Sequence, residues 1–237
     1  VKETNRTHSK GYVEALSTKC GRKRCVKMMW LNLSVLPQLC EVYICVNDEK
    51  NLAWPVYLVL LVIISFQILF GIGGTALLDP DEPVYAETAK EMIRFGDYLS
   101  PRIYNEFWYD KPPIFYWLVV ASLKLFGGFS EIAARLPAAL MAIGSILMTA
   151  LASARIFGAR TGFWSGMVMG TSIILMYMGK ASVTDSTLLF FMTAALFSFI
   201  HRQYWLMYLA CGLAVMTKGP IGVVFPAGIV FFYLLAT

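Results

Sequence analysis

Residues 51–78 read NLAWPVYLVLLVIISFQILFGIGGTALL, a stretch without one charged side chain. At about 1.5 Å of rise per helical residue it is long enough to cross a hydrocarbon core of roughly 30 Å, so the sequence predicts a membrane span here. A cleaved signal peptide is not expected, because the run is too long and residues 1–50 precede it. Outward from this stretch the composition agrees. The 237 residues are 58% hydrophobic and only 15% charged, against roughly 25% charged in ordinary soluble domains. Glycine has no fixed period, cysteines number five and aromatics make up 14%, which excludes collagen-like, disulfide-scaffold and disordered chains.

Further uncharged runs follow at 112–123, 136–154, 161–179, 186–200, 203–217 and 219–237. The expected fold class is therefore all-α: a polytopic integral membrane protein of about five to seven spans. The last run is apolar to the final residue, with no polar or charged flank to anchor it, so residues 54–237 are expected to be a transmembrane module truncated at its C-terminus.

The net charge of +5 is unevenly spread. Residues 1–53 hold nine Lys/Arg against five Asp/Glu, residues 79–111 hold four against eight, and residues 112–237 hold seven against two. The basic excess is read as a topology signal and not as a nucleic-acid footprint. Lys19, Arg22, Lys23, Arg24 and Lys27 precede the first span, which predicts a cytoplasmic N-terminus. Residues 1–53 read as a basic cytoplasmic extension, disordered or the product of an over-long start. Their cysteines, Cys20, Cys25, Cys40 and Cys45, repeat a C-x4-C spacing with no histidine among them. Unpaired thiols fit that better than a zinc site, whose ligands more often come as C-x2-C.

The segment after the first span, residues 77–117, reads LLDPDEPVYAETAKEMIRFGDYLSPRIYNEFWYDKPPIFYW. With the N-terminus inside, it lies outside. Asp81 is placed to cap a helix whose first turn holds Pro83 and which ends at Gly96. Tyr85, Ala89, Met92 and Phe95 share one face of that helix, with Glu87, Lys90, Glu91 and Arg94 elsewhere, as in a helix lying along the membrane surface. Asp79, Asp81 and Glu82 repel one another unless a metal, a cation or a shared proton relieves them; the plainer alternative is a helix cap beside solvated acids. Lys111, fixed beside Pro112-Pro113, is either an interface anchor or an ammonium held where an anionic phosphate could meet it. Asp185, between two apolar runs, is a functional candidate or the N-cap of the next helix. Lys218 likewise interrupts two apolar runs.

Taken in order, DPDEPVYAETAKEM, YDKPPIFYW, EIAARLPAAL, TDSTLLFF and GLAVMTKGPIG resemble glycosyltransferases of the GT-C class. They resemble in particular the PMT/ArnT-like family, which includes bacterial aminoarabinose transferases acting on lipid A. The resemblance covers about residues 54–237 and implies an inverting transfer from a polyprenyl-phosphate sugar donor to a lipid or protein acceptor, outside the bacterial inner membrane. It implies that Asp81 is the catalytic base, that Glu82 and Asp185 are further acids of the site, and that Lys111 contacts the donor phosphate. Lys218 is read as a second phosphate cation. Asp110 stands where the aminoarabinose enzymes carry a glutamate associated with a divalent metal. Those enzymes tend to have arginine three residues after the catalytic acid, where this chain has Val84.

If every apolar run crossed once, Asp185 would face the cytoplasm and Asp81 would not. Arg155, Arg160, His201 and Arg202 all suit the cytoplasmic side, which requires one earlier segment not to cross, and 112–123 is the shortest. Asp81, Lys111 and Asp185 are then expected to share the outer face. The competing class is a transporter or channel subunit using Asp185 and Lys218 as an intramembrane relay. The gathering of acids in one outer loop argues against it, whereas an inactive fragment of a glycosyltransferase remains a variant of the first reading.

Overall fold

The structure, a computed structural model, describes the backbone at residues 23–30, 40–47, 54–77 and 80–236, and side chains at 55, 57–77 and 80–236. In chain order the elements are β1 (Lys23–Trp30), β2 (Cys40–Asn47), α1 (Trp54–Leu69), α2 (Asp81–Phe95), β3 (Arg102–Ile103), β4 (Glu106–Phe107) and α3 (Ile114–Leu125). They continue with α4 (Glu131–Phe157), α5 (Ala159–Gly170), α6 (Ile173–Lys180), α7 (Thr184–Ile200), α8 (Tyr204–Lys218) and α9 (Ile221–Ala236). Helices dominate, consistent with the all-α expectation, and two short antiparallel pairs accompany them. β1 and β2 pair antiparallel with Lys23 opposite Asn47, where the sequence showed no sustained period, and β3 and β4 form a two-residue ladder after α2. The cysteine expectations at 20, 25, 40 and 45 fall outside the described side chains.

α4 is the scaffold. Ser130 caps it by accepting the Ala133 N–H, and Glu131 sits in its first turn, where the helix dipole favours an anion. Its 27 residues make it the one helix, among those described, long and apolar enough to cross a membrane by itself. The expected five to seven crossings are thus not matched by as many long helices. Run 161–179 is broken at Thr171 and Ser172 into α5 and α6, and α6 meets α7 at a bend of 117°. α3 spans 12 residues, about 18 Å of helix against a core of roughly 30 Å, too short to cross.

Two cores flank α4. In the first, Leu60, Ile64, Ile68 and Ile72 recur every fourth residue, so the stripe they form stays on one face and buries against Ala139, Ala142, Ile146 and Ala150 of α4. α5 closes on them through Gly162, Gly166 and Gly170, one every fourth residue. A Cβ added at Gly162 would sit 2.5 Å from the Ala150 carbonyl oxygen, and one at Gly166 would sit 2.6 Å from Leu60. Small residues are needed there because van der Waals contact, not the hydrophobic effect, holds helices together in lipid. In the second core, Tyr85, Ala89 and Met92 of α2 pack on Phe115, Tyr116 and Val119 of α3 and on Ala133 and Ala138 of α4.

α2 departs from expectation at its start and in the facing of two side chains near its end. Pro80 is already helical (φ −56°, ψ −30°), so Asp81 is the first residue of the helix and not its cap, and no side chain caps it. A proline has no N–H to satisfy, which lets the turn begin there. Gly96, at φ 66°, stops the helix as the sequence suggested. Glu91 turns inward, 4% exposed, because both its oxygens accept the Asn105 N–H at 3.2 Å from the tight turn between β3 and β4. Phe95 turns outward, under the Arg102 guanidinium.

Candidate active site

The site is assembled around a residue that drew no attention as an individual in the sequence, Arg135. It lies in the second turn of α4, 4% exposed. Its Nε and Nη2 donate to the two Glu82 oxygens at 2.9 and 2.8 Å, a two-pronged grip that fixes both position and angle. The remaining hydrogens go to the carbonyls of Ile72, Thr75 and Ala76, each at 2.9 Å. All five guanidinium donors are therefore used. Glu82 also accepts the Ser182 N–H at 2.7 Å, and the Ser182 hydroxyl donates to the Ala134 carbonyl at 2.9 Å. One buried ion pair thus ties the end of α1, the start of α2, α4 and the break between α6 and α7.

Asp81 lies one residue before this knot, at the positive end of α2 and exposed. It lines a cavity of about 400 Å³ together with Glu82, Arg135, Tyr177, Lys180 and Asp185. Asp81 and Asp185, 104 positions apart by their numbers, thereby open onto the same space. Asp185 is not the N-cap of α7: Val183 holds that place without a side-chain bond, and Asp185 sits in the first turn. Its carboxylate pairs instead with the Lys218 ammonium at the end of α8, both groups partly open to solvent. Lys218 therefore meets an acid of this site and is not a free interface anchor.

Lys111 pairs with Asp110 at 3.0 Å. That hydrogen bond holds the Lys111 ammonium protonated above the usual lysine range; burial opposes it, and the charge of Asp110, then Tyr85 and Asp81, adds to it. Lys111 is not among the residues lining the cavity, yet it feels Asp81. Tyr85 feels both charges. Burial pushes its phenol up, a hydrogen bond with Thr184 and the Lys111 charge pull it down, and Asp81 and Asp110 push it up again. Glu82, by contrast, spends its oxygens on Arg135 and Ser182. Asp79 lies outside the described residues.

The divalent metal associated with the position of Asp110 finds no matching donor set. The partner of Asp110 is the lysine next to it, and no group of three His, Cys, Asp or Glu among the described residues is arranged to hold a metal. A divalent cation needs several oxygen ligands, so Asp110 alone does not make such a site.

Two residues of the site escaped the sequence reading. Arg135 was visible only as a buried-run charge inside EIAARLPAAL, a signal that polar residues within apolar helices carry function or structure. Lys180 ends α6 and lines the cavity, with its Nζ donating to the Phe70 carbonyl at 3.1 Å. Its spacing from Asp185, five positions on by its number, says nothing about facing it until the bend between α6 and α7 is known.

The helical arrangement resembles that of a solved structure, ArnT from Cupriavidus metallidurans. Its apo structure is 28% identical, aligns with a TM-score of 0.70, and covers 76% of this chain and 36% of its own. The structure bound to undecaprenyl phosphate aligns equally, at 35% of its own chain. A family model described as dolichyl-phosphate-mannose-protein mannosyltransferase matches residues 110–237. This chain belongs to that family and is an integral membrane protein. An uncharacterized protein of Aquifex aeolicus (strain VF5) is 36% identical over 186 residues, 74% of this chain and 37% of the relative. The undecaprenyl phosphate-alpha-4-amino-4-deoxy-L-arabinose arabinosyl transferase of Pectobacterium carotovorum subsp. carotovorum (strain PC1) is 32% identical over 189 residues, 71% of this chain and 32% of the relative. The chain thus spans about a third of the length of such relatives.

Proposed function

We propose that the protein is a glycosyltransferase that moves a sugar from a polyprenyl-phosphate donor to a lipid or protein acceptor. The reaction lies on the outer face of the bacterial inner membrane, with the N-terminus in the cytoplasm. The observation that carries this reading is that Asp81 and Asp185 line one cavity while Asp81 is close enough to Lys111 to act on its charge. The relatives' names and the undecaprenyl phosphate bound by one of them support the donor class.

In this mechanism Asp81 takes the proton of the acceptor hydroxyl as that oxygen bonds to the anomeric carbon. The bond from that carbon to the phosphate oxygen breaks, and the lipid phosphate leaves with the electron pair. One displacement inverts the anomeric centre. Lys111 stabilises the charge growing on the phosphate, an effect larger in a partly dehydrated site than in water. Lys218, held by Asp185, is the second cation for that phosphate, and Asp185 orients the sugar. Glu82 acts through Arg135, fixing the turn that presents Asp81. A divalent metal at Asp110 would need ligands from elsewhere, and no step passes through one.

The test compares Asp81→Asn with wild type for transfer from a labelled polyprenyl-phosphate sugar in membranes holding equal amounts of each protein. Transfer should fall by about 10²–10⁴-fold, the usual contribution of a general base. Undiminished transfer removes Asp81 from the mechanism.

A further inference from the structure

The end of the helical bundle away from the site has a charge pattern of its own. Arg135, in the second turn of α4, belongs to the site, and Arg155 lies 20 positions further along the same helix. At about 1.5 Å per residue that is roughly 30 Å, the thickness of a bilayer's hydrocarbon core. α7 runs between the same two levels, from Asp185 at the cavity to His201 at its C-cap, and α8 returns from Tyr204 to Lys218 beside Asp185. The turns at 158 and 201–203 therefore share the far end. Burial and then the Arg155 charge hold the His201 imidazole below the usual histidine range, so these two turns are neighbours.

Every carboxylate among the described side chains either precedes or opens α4, from Asp81 to Glu131, or is Asp185 in the first turn of α7. The far end has none among the described residues. It has instead Arg155, Arg160 and Arg202, all exposed, together with His201. The His201 Nε2 is buried without a hydrogen-bond partner among the described residues, and a buried polar atom left so calls for a ligand or a water. Trp164, four residues after Arg160 on α5, is 60% exposed, and Trp205, three residues after Arg202, is 68% exposed. Indole rings gather at the membrane–water interface, which sets these arginines at headgroup depth.

We infer that the far end binds an anionic phospholipid of the leaflet it faces, with Arg155 and Arg202 on its phosphate and Arg160 adding to the attraction. A guanidinium presents a planar fork that matches two phosphate oxygens. At headgroup depth, a cluster of cations with no acid beside it is complementary to a lipid with net negative charge. A zwitterionic lipid already carries a cation against its own phosphate and gains less. The inference needs only that the chain is embedded in a membrane, so the Asp81→Asn assay does not touch it.

Binding is read directly. The full chain, with photoreactive benzoylphenylalanine in place of Trp205, sits in phosphatidylcholine nanodiscs doped with phosphatidylglycerol, in about 0.5 M salt. There the Debye length is about 4 Å, so diffuse attraction of anionic lipid is screened and a contact pair is screened less. Labelling, corrected for lipid content, should favour phosphatidylglycerol by about tenfold, the scale of one charge-assisted hydrogen bond. Replacing both residues, Arg155→Gln with Arg202→Gln, should bring the ratio near one. Arg155→Lys with Arg202→Lys should keep about a third of the preference, since an ammonium retains the charge but not the fork. If the double Gln protein does not fold, either single substitution replaces it, with a loss of about threefold expected. Equal labelling of the two lipids, or a preference that survives removal of both charges, overturns the inference. So does an adduct with residues 1–50 of the same chain in place of lipid, or displacement by inorganic phosphate, which would make this a site for a free anion.

Discussion

Asp81 and Glu82 are consecutive carboxylates in the first turn of α2, and the structure gives them opposite surroundings. Glu82 is 4% exposed, gripped by Arg135 and by the Ser182 N–H. Asp81 stays exposed and faces an open cavity. Successive helical positions are about 100° apart, so one residue can point into the protein while the next points out. A charge that is buried and fully bonded is bound to the fold. A charge with free lone pairs in a polar cavity is available for chemistry. The same contrast separates Arg135, whose five donors are all used, from Lys180, which has donors to spare.

The largest effect expected is on the closed side of this comparison. Arg135→Ala should destabilise the protein by about 3–5 kcal/mol, because it strands Glu82 and three carbonyls without donors. A thermal midpoint in detergent measures it, and a small shift would show that the knot does not hold α2. Asp81→Asn should do the reverse, cutting transfer while leaving the midpoint nearly unchanged. If Asp81→Asn unfolded the protein instead, the division between the neighbours would be gone.

The Asp185–Lys218 pair lies between these extremes, since both side chains are partly exposed. Solvent screening limits such a pair to about 0.2–1 kcal/mol, so Asp185→Asn, Lys218→Met and the double variant should give a coupling in that range. A coupling of several kcal/mol would move the pair to the structural side. The smallest effect belongs to Asp97, in the loop after α2. The Ser100 and Leu99 N–H groups hold its carboxyl below the usual carboxylate range. A depressed folded-state pKa gives stability that is full above the unfolded value and is lost as pH falls through the folded one. The Leu99 and Ser100 amides should therefore lose protection from exchange only in that acidic range, and Asp97→Asn should make them insensitive to it.

Much of the fold was legible because hydrophobic content is additive along a chain. The uncharged runs gave the helices, and Gly96 gave the end of α2. The motifs singled out Asp81 and Asp185, which the structure brings to one cavity, but not Lys180, which lines it too. What failed needed distance. The start of α2 moved because Pro80 can itself be helical, and Glu91 turned inward because a turn 14 residues on presents an N–H to it. The run 161–179 broke where its periodicity gave no sign.

The sequence by itself determined that the chain is apolar, helical and of this family, and that its acids gather in one loop, since these are properties of residue types and their order. Only the tertiary structure decided which charges are spent and which are free. Pairing Arg135 with Glu82, Lys218 with Asp185, and leaving Lys180 with a carbonyl joins residues 53, 33 and 110 positions apart. Electrostatic energy depends on separation in space and on the surrounding dielectric, and neither can be read from order along the chain.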